Sequence, residues 1–450
     1  MSVHLAELAT RMRGQLVGAD QPYSNFALDS REVSPGSVFL AIKGARVDGH
    51  DFVEMAVSLG AVACVVEKPI HGTHILVPDV VAAIGYFGQS YREEFSGPVI
   101  GVTGSNGKTT TKQLIAAALS PMGPVLMNQG NQNSEYTSPL TWTRLEPDHK
   151  SAVIEMGMRG FGQIKHLAEI SRPTHAVITM IGTSHIEMVG SREGIAKAKG
   201  ELFESLPAYG TAIAWADDDF VQDLKKLAPG KFVTFGFNHD ADMSVVGYKA
   251  LSMNLSQIRL DFHGEQCTIE LPTIGRHNAQ NAAAAILAAI ECGVKFKEAC
   301  EAIAHAELPP MRMETLTYRG AKVLLDTYNA SPDSMIAALK TLLELPCEGR
   351  RLAVLGSMKE LGVTLESGHR AVGKQVALSN LDALVLIGEE TRYVAEEAIQ
   401  DGFPAGKIIH ADGMDTVTSF LQTIREGDLV LIKGSRALGL EQALPDEVLP

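Results

Sequence analysis

The chain has 450 residues, of which 45% are hydrophobic and 20% charged, and Asp plus Glu outnumber Lys plus Arg by 53 to 39. This length predicts about three domains, each able to bury a core of its own. The formal net charge of −14 excludes a chain-wide attraction to nucleic acid or to an anionic membrane, although a local basic pocket stays compatible with it.

The N-terminal segment and the cysteines indicate in which cellular compartment the protein is expected. MSVHLAELATRMRG predicts an amphipathic helix without the uninterrupted apolar stretch of a signal peptide, and the sequence contains no run of about 18 apolar residues. The five cysteines are odd in number and lack CxxC spacing, which disfavours a disulfide framework and a zinc cluster. We therefore expect a soluble cytoplasmic protein with five buried thiols and no membrane insertion.

The first block of the chain, residues 1–96, predicts a small α/β domain. GSVFLAIKG (36–44) and AVACVVEK (61–68) are apolar runs of strand length. The segment FVEMAVSLG between them has a helical pattern. No linker of low complexity separates this block from the next.

The second block, residues 97–308, predicts a parallel sheet with helices on both faces, because buried-strand candidates alternate with helical segments. These candidates are PVIGVTG (98–104), SAVIEMG (151–157), THAVITMIG (174–182), GTAIAWAD (210–217) and KFVTFGF (231–237). SQIRLDFHGEQCTIELP predicts an antiparallel hairpin that turns at HGE. A long helix is expected from Asn278 to about Cys292.

The third block, residues 309–450, begins in HAELPPMRME, where Pro309 and Pro310 break helical structure. Strand candidates again alternate with helices, which predicts a Rossmann-like, doubly wound domain. They are KVLLD (322–326), RLAVLG (351–356), DALVLIG (382–388), KIIHA (407–411) and DLVLIKG (428–434). The predicted fold class is therefore α/β with three domains.

GVTGSNGKTTTK (101–112) predicts a phosphate-binding loop between a buried strand and a helix. Backbone N–H groups at such a helix start surround phosphate oxygens, and Gly104 and Gly107 allow the backbone to approach closely. Lys108 supplies a positive charge and Thr109 a hydroxyl for Mg²⁺. The alternative, a glycine-rich turn with a chance lysine, does not explain why strand, GKTT and helix follow one another.

Three further residues have chemistry that fits such a site. Glu155 ends the next buried strand, where a carboxylate is placed either to hold Mg²⁺ or simply to face solvent. His185 follows another strand end and is equally compatible with an ordinary loop residue. Lys199 lies in the mixed segment EGIAKAKGELF, which by itself predicts only an exposed helix face.

Eight ordered segments together resemble the Mur ligases, the ATP-dependent amide-forming enzymes of bacterial peptidoglycan synthesis, over essentially the whole chain. They are DSREVSPGSVFLAIKGARVDGHDF (29–52), TGSNGKTTTK, GNQN (130–133) with PLT (139–141), IGTSHIEMVGSREGIAKAKGELF (181–203), GRHNAQNAAAA (275–285), DTYNASPDSM (326–335), LGSMKELG (355–362) and KGSR (433–436).

The resemblance implies a role for each residue of an ATP site. Lys108 would contact the γ-phosphate, and Arg312 would hold a phosphate from the third domain. Asn278 and Asn281 would face adenine and Asp326 would hold the ribose, so ATP would bridge two domains. The implied ATP-binding set also contains Thr103, Gly104, Ser105, Asn106, Gly107, Thr109 and Thr110.

The same resemblance implies two Mg²⁺ ions and a modified lysine. Thr109 and Glu155 would bind the first ion, and His185 would join the second. Lys199 aligns with the lysine that is carbamylated in this family, a change that turns a cation into an oxygen ligand for a hard metal. The implied catalytic residues are Lys108, Glu155, His185, Lys199 and Arg312.

Substrate residues are implied in all three blocks. Those for the uridine diphosphate end are Ser30, Arg31, Lys43 and His50, and those nearer the reacting groups are Asn131, Asn133, Tyr328 and Asn329. The resemblance implies that a monomer adds D-alanyl-D-alanine to UDP-muramyl tripeptide through an acyl phosphate. The segment Glu135–Ser138 departs from the family pattern, as do Gln132 and Ser134, which bears on the substrate pockets.

Four alternatives stay open. One is a degenerate relative that only binds its ligands, and the presence of Lys108, Glu155, His185 and Lys199 argues against it. A Mur ligase that adds the third amino acid would carry a DNPR motif in its diaminopimelate-adding form, and the sequence has none. Folylpolyglutamate synthases share the core but have their ATP loop near the N-terminus. A P-loop ATPase switch would hydrolyse nucleotide without an amine acceptor, and it would leave the first block and the Lys199 region without a purpose.

Overall fold

The computed structural model describes residues 4–44 and 47–449. Outside the described residues lie residues 1–3 of the predicted N-terminal helix, residues 45 and 46 of the predicted nucleotide-sugar segment, and residue 450 at the end of the third predicted domain. The described chain forms three α/β domains in sequence, each with its own sheet. The predicted fold class is confirmed.

The N-terminal domain is a five-stranded sheet covered by three helices. Its strands are β1 (Gln15–Val17), β2 (Asn25–Ala27), β3 (Ser37–Leu40), β4 (Ala63–Val66) and β5 (His74–Leu76), and its helices are α1 (Leu5–Arg11), α2 (Val53–Ser58) and α3 (Val80–Arg92). The strand order is β1-β5-β4-β3-β2, with only β1 and β5 paired antiparallel. Every residue of β3 and β4 is buried because helices cover both faces of these strands.

The central domain has nine strands in the order β14-β13-β12-β11-β10-β9-β6-β8-β7. The strands are β6 (Val99–Thr103), β7 (Val125–Met127), β8 (Ser151–Glu155), β9 (His175–Ile178), β10 (Thr211–Trp215), β11 (Lys231–Gly236), β12 (Met243–Ala250), β13 (Ser256–Phe262) and β14 (Glu265–Leu271). β6 to β12 pair in parallel, and β12, β13 and β14 form an antiparallel extension that contains the predicted hairpin.

Seven helices accompany this sheet. They are α4 (Lys108–Leu119), α5 (Gln163–Ser171), α6 (Ile186–Val189), α7 (Arg192–Glu204), α8 (Val221–Leu227), α9 (Arg276–Glu291) and α10 (Phe296–Ile303). The predicted long helix is α9, whose alanine-rich side packs against α4 in the larger of the two cores of the domain. This packing places the start of α9 beside the loop that precedes α4.

The C-terminal domain is doubly wound, as predicted. Its strands are β15 (Glu314–Tyr318), β16 (Ala321–Asp326), β17 (Arg351–Gly356), β18 (Ala383–Ile387), β19 (Ile408–Ala411) and β20 (Leu429–Lys433), in the order β15-β16-β20-β17-β18-β19. Its helices are α11 (Pro332–Glu344), α12 (Leu365–Ala377), α13 (Arg392–Gln400) and α14 (Met414–Leu421). The sequence did not predict β15, the antiparallel edge strand.

The proposed domain limits, 96/97 and 308/309, fall in segments without helix or strand, and they stay predictions. All five cysteines are free, but only Cys64 and Cys300 are buried, so the expectation of five buried thiols was wrong for the other three. Within the described residues, no helix has both the length and the apolar character that crossing a bilayer requires.

Candidate active site

The loop between β6 and α4 is shaped by two glycines that tolerate no side chain. Gly104 has φ +152° and Gly107 has φ +81°. A Cβ atom at Gly104 would collide with Oγ1 of Thr179, and one at Gly107 would lie 2.7 Å from Oδ1 of Asn281. The backbone amides of the loop can therefore approach an anion at the start of α4, as a nucleotide phosphate requires.

Lys108 and Thr109, the first residues of α4, meet a residue of the third domain. The Lys108 ammonium donates hydrogen bonds to the carbonyl oxygens of Gly104 at 2.8 Å and Ser105 at 3.3 Å. Desolvation lowers the pKa of Lys108. Nη2 of Arg312 donates to Oγ1 of Thr109 at 3.0 Å, and the guanidinium stacks 4.1 Å above the Tyr328 ring. Two cationic groups thus face the phosphate loop.

Glu155, at the carboxyl end of β8, is buried and only partly paired. Its Oε1 accepts a hydrogen bond from Nδ2 of Asn133 at 2.7 Å. Its Oε2 takes no hydrogen bond from any residue that the structure describes, and Nζ of Lys112 lies 3.5 Å from it. A buried carboxylate oxygen without a donor suits a divalent cation, since oxygen atoms are the ligands that Mg²⁺ prefers.

Lys199 lies on α7 and is 1% exposed. The prediction from the helical pattern alone, that this lysine lies on an exposed helix face, is therefore wrong. No acceptor within the described stretches 4–44 and 47–449 takes a hydrogen bond from its ammonium. Burial, followed by the charge of Lys108, lowers the pKa of Lys199 well below its usual value. This shift favours the neutral amine, which is the form that adds CO₂.

His185 lies in the left-handed region with φ 63° and contacts the third domain. Its Nδ1 is 2.7 Å from Oε2 of Glu360, and this hydrogen bond is the largest cause of the lowered pKa of Glu360. His185 and Lys199 both line the cavity that contains Glu155. The residues proposed as metal ligands, Thr109, Glu155, His185 and Lys199, thus line one cavity although they come from four separate segments. Their side chains offer oxygen and nitrogen atoms, which are suitable ligands for Mg²⁺ once Lys199 is a carbamate.

The first turns of α9 face a cluster from the third domain. Nδ2 of Asn278 donates to Oγ1 of Thr273 and to the carbonyl of Ile274, and Nδ2 of Asn281 donates to Oδ1 of Asn278. Across the cavity, Oδ2 of Asp326 is 2.7 Å from Nζ of Lys433.

His277, the residue before Asn278, lines the same cavity. Burial lowers its pKa to about 4, with smaller, opposed effects from Asp326 and Lys433. A neutral imidazole and two amides form a wall suited to a purine and its sugar.

One cavity of about 980 Å³ lies between the central and C-terminal domains and collects most of the predicted site residues. These are Ser105, Asn106, Gly107, Lys108, Thr109, Thr110, Asn131, Asn133, Glu155, His185, Lys199, Asn278, Asn281, Arg312, Asp326, Tyr328 and Asn329. Thr103 is not among them, because its buried hydroxyl donates to the carbonyl of Met156 and ties β6 to β8. Gly104 contributes its carbonyl to Lys108 rather than a cavity wall.

The four predicted residues of the N-terminal domain do not line this cavity. The Arg31 guanidinium is paired with Asp29, and Ser30 is buried. Nδ1 of His50 is 2.7 Å from Asp48, and its Nε2 accepts from the backbone N–H of Glu67 at 2.9 Å, so both ring nitrogens are used within the domain. Lys43 and Arg31 both present exposed charged side chains, Arg31 despite its ion pair with Asp29.

Sequence reasoning missed four residues that the structure places at the site. Lys112 follows the phosphate motif and is fully buried, and Asn128 precedes the GNQN segment. Lys433 pairs with Asp326, and Asp333 accepts two hydrogen bonds from Thr183. Lys112, Asp333 and Lys433 lay inside quoted motifs, but a lysine or aspartate in a motif does not disclose which distant group it contacts.

Three family models together match most of the chain. The model described as Mur ligase family, catalytic domain, matches residues 22–96, the Mur ligase middle domain matches residues 102–289, and the Mur ligase, glutamate ligase domain, matches residues 311–436. Each lies within one of the three domains.

Individual relatives and solved structures that are similar to this chain belong to the same family. The UDP-N-acetylmuramoyl-tripeptide–D-alanyl-D-alanine ligase of Synechocystis sp. is 37% identical over 425 residues, covering 93% of this chain and 90% of that protein. A crystal structure of MurF from Acinetobacter baumannii has 30% identity, a TM-score of 0.87 and 98% coverage of both chains. MurF ligase from Thermotoga maritima in complex with ADP has 29% identity and a TM-score of 0.81, covering 93% of this chain and 96% of that one. The use of ATP is thereby confirmed, and the chain belongs to the Mur ligase family.

Proposed function

We propose that the chain joins the amine of D-alanyl-D-alanine to the C-terminal carboxylate of a UDP-N-acetylmuramoyl-tripeptide, with ATP converted to ADP and phosphate. The observation that carries this proposal is the single cavity in which the phosphate loop, the unpaired carboxylate of Glu155 and the buried Lys199 meet Arg312 of the third domain. The relatives that cover nearly the whole chain carry the name of this reaction. The setting would be peptidoglycan precursor synthesis in the cytoplasm, by a monomer.

The chemistry requires activation of a carboxylate, because oxide is a poor leaving group. Transfer of the γ-phosphoryl group to the donor carboxylate gives an acyl phosphate, the amine attacks its carbonyl carbon, and the tetrahedral intermediate releases phosphate. Lys108 would leave the carbonyls of its own loop and neutralise the transferred group, and Arg312 would do the same from the opposite domain. Both cations are already directed at the phosphate loop.

Mg²⁺ ions, two in our proposal, would be held by Thr109, Glu155, His185 and Lys199 as its carbamate, and they would supply charge neutralisation between phosphate and carboxylate. Oε2 of Glu155, which takes no hydrogen bond from a described residue, and the buried amine of Lys199, whose pKa is lowered, support this donor set. The amides of Asn278 and Asn281 would bind adenine and Asp326 the ribose.

The donor would span two domains. Asn131, Asn133, Tyr328 and Asn329 would contact it near the reacting carboxylate, since all four line the cavity. The uridine diphosphate end would reach the N-terminal domain, where Arg31 and Lys43 are the predicted residues with exposed cationic heads. Arg31 would have to leave Asp29 to bind this end of the donor directly. Both ring nitrogens of His50 already have partners, so this residue would support the surrounding loop unless it changes them.

The test is phosphate release from ATP and Mg²⁺ in the presence of UDP-muramyl tripeptide, with and without D-alanyl-D-alanine. We expect release only when both are present, together with a product heavier by one dipeptide. Release in the absence of both would instead indicate a P-loop ATPase. Turnover with another amino acid but not with the dipeptide would identify a different Mur-type ligase.

A further inference from the structure

Arg159 is a cation of the cavity wall that has no partner. It follows β8 in the loop leading to α5, where its backbone N–H donates to Oε1 of Gln163 at 2.6 Å and that of Gly160 donates to the same oxygen at 3.2 Å. The backbone is thus fixed, whereas the side chain is exposed and lines the cavity. Its guanidinium makes no hydrogen bond or ion pair with any residue that the structure describes. A fixed backbone that carries a guanidinium with free N–H donors is the arrangement of a ligand-binding arginine.

Backbone contacts place Arg159 beside the asparagine-rich loop, residues 131–136. The backbone N–H of Gly157, two residues before Arg159, donates to the carbonyl oxygen of Asn133 at 2.8 Å and holds the two loops together. Arg159 and Tyr136 both line the cavity, and the charge of Arg159 opposes the rise in the pKa of Tyr136 that burial causes. Arg159 therefore lies next to the loop that is proposed to contact the donor.

Glu135 supplies the opposite charge on the same wall. Its carboxylate lines the cavity and, after burial, is the next cause of the raised pKa of Tyr136, through its charge and a hydrogen bond. Within the described part of the chain, no lysine, arginine or histidine forms an ion pair with Glu135. One unpaired anion and one unpaired cation thus act on the same tyrosine.

The proposed function determines what reaches this wall. The C-terminal carboxylate of the donor must lie near Lys108 and Lys199, so the side chain of the third peptide residue extends to the adjoining surface. A lysine side chain ends in an ammonium group, which would suit Glu135 but would bring a like charge to Arg159. A diamino dicarboxylic acid ends in an ammonium and a carboxylate, which match both groups.

The acceptor dipeptide also carries a carboxylate, but Glu135 and Tyr136 continue the chain from Asn131 and Asn133, and the loop of Arg159 is hydrogen-bonded to Asn133 in the same domain. We propose, resting on the proposed function, that Arg159 and Glu135 bind the side-chain end of the third donor residue, Arg159 its carboxylate and Glu135 its ammonium. The preferred donor then has a diamino dicarboxylic acid at that position rather than lysine.

The experiment compares kcat/KM for two donors that differ only in this residue, a UDP-muramyl tripeptide ending in diaminopimelate and one ending in lysine. We expect the wild type to prefer the diaminopimelate donor. Arg159→Met should lower kcat/KM roughly 10- to 100-fold with this donor, mainly through KM, and by a clearly smaller factor with the lysine donor. Glu135→Gln should lower both by similar factors, because both donors carry the ammonium.

Arg259→Met, at an exposed position on β13 of the antiparallel extension, is the matched control and should change neither value. Arg159→Lys keeps the charge without the fork and should recover only part of the selectivity. If Arg159→Met lowers kcat/KM equally with both donors and raises KM for the dipeptide, Arg159 binds the acceptor and the proposal is overturned. A wild-type enzyme that prefers the lysine donor would also overturn it. A wild type inactive with both donors would refute the proposed function itself.

Discussion

At the scale of single residues, Lys199 shows how burial changes the chemistry of an amine. An isolated buried ammonium is costly, so the folded protein favours the neutral form, and the charge of Lys108 in the same cavity adds to this preference. Only a neutral amine adds CO₂. The carbamate that results is an anion, and it would be stabilised by the very cation, Lys108, that destabilises the ammonium.

We predict that Lys199→Ala abolishes ligase activity and that a short added carboxylate, such as acetate or propionate, restores part of it by occupying the vacated oxygen-ligand position. The measurement is the rate of product formation against carboxylate concentration. Lys197→Ala is the control, since Lys197 lies two residues away on α7 and is exposed. Wild-type-like activity of Lys199→Ala without any additive would refute the carbamate.

At the scale of elements, α4 is attached to the asparagine-rich loop and to β8 by one buried side chain. Nζ of Lys112 donates to the carbonyl oxygens of Asn128 at 2.7 Å and Gly130 at 3.1 Å, and it lies 3.5 Å from Oε2 of Glu155. The ammonium thus donates two hydrogen bonds, and its charge faces Oε2 of Glu155, an oxygen that accepts no hydrogen bond in the described part of the chain. The helix that carries Lys108 therefore fixes the positions of a proposed metal ligand and a proposed substrate loop.

Lys112→Met should lower the free energy of unfolding by about 3 kcal/mol, because it leaves a buried carboxylate without its counter-ion and two carbonyls without a donor. The measurement is urea unfolding of the protein without nucleotide. In a double-mutant cycle, Lys112→Met should cost less when Glu155 is already Gln, since no charge is then left unpaired. Equal costs in both backgrounds would show that the pair contributes nothing to stability.

The alternation of strands and helices was predictable because buried parallel strands are continuous apolar runs, and the runs around Val99–Thr103 and Leu429–Lys433 illustrate this. Short or partly exposed strands such as β7 and β15 lacked that signal. The phosphate loop was predictable because its residues are consecutive. The pairing of Asp326 with Lys433 was not, since it depends on β16 and β20 becoming neighbours across a hundred residues of chain.

At the scale of the whole molecule, the third domain is held against the central one by a set of polar contacts around the cavity. Oγ of Ser331 donates to Oδ1 of Asn106 at 3.0 Å, and Oδ2 of Asp333 accepts from the backbone N–H and the hydroxyl of Thr183 at 3.1 and 3.2 Å. The Arg312–Thr109 and Glu360–His185 contacts complete this set. Such closure keeps water from an acyl phosphate, which would otherwise hydrolyse.

Asp333→Ala removes two of these hydrogen bonds at once and should shift the protein toward an open arrangement. We expect a larger radius of gyration by small-angle X-ray scattering and a kcat/KM lower by at least about tenfold. A charged hydrogen bond contributes about 1.5–3 kcal/mol, and about 1.4 kcal/mol already corresponds to a factor of ten. A looser closure should also release more than one phosphate per dipeptide added.

Asp415→Ala tests whether these effects belong to closure. Asp415 is an exposed aspartate in the first turn of α14, so it occupies the same helical position as Asp333 in the same domain but does not face the cavity. Its replacement should leave the scattering and the ratio of phosphate to product unchanged. An unchanged radius of gyration and strict coupling in Asp333→Ala would mean that the remaining contacts close the site without it, and that the Asp333–Thr183 contact follows closure rather than stabilising it.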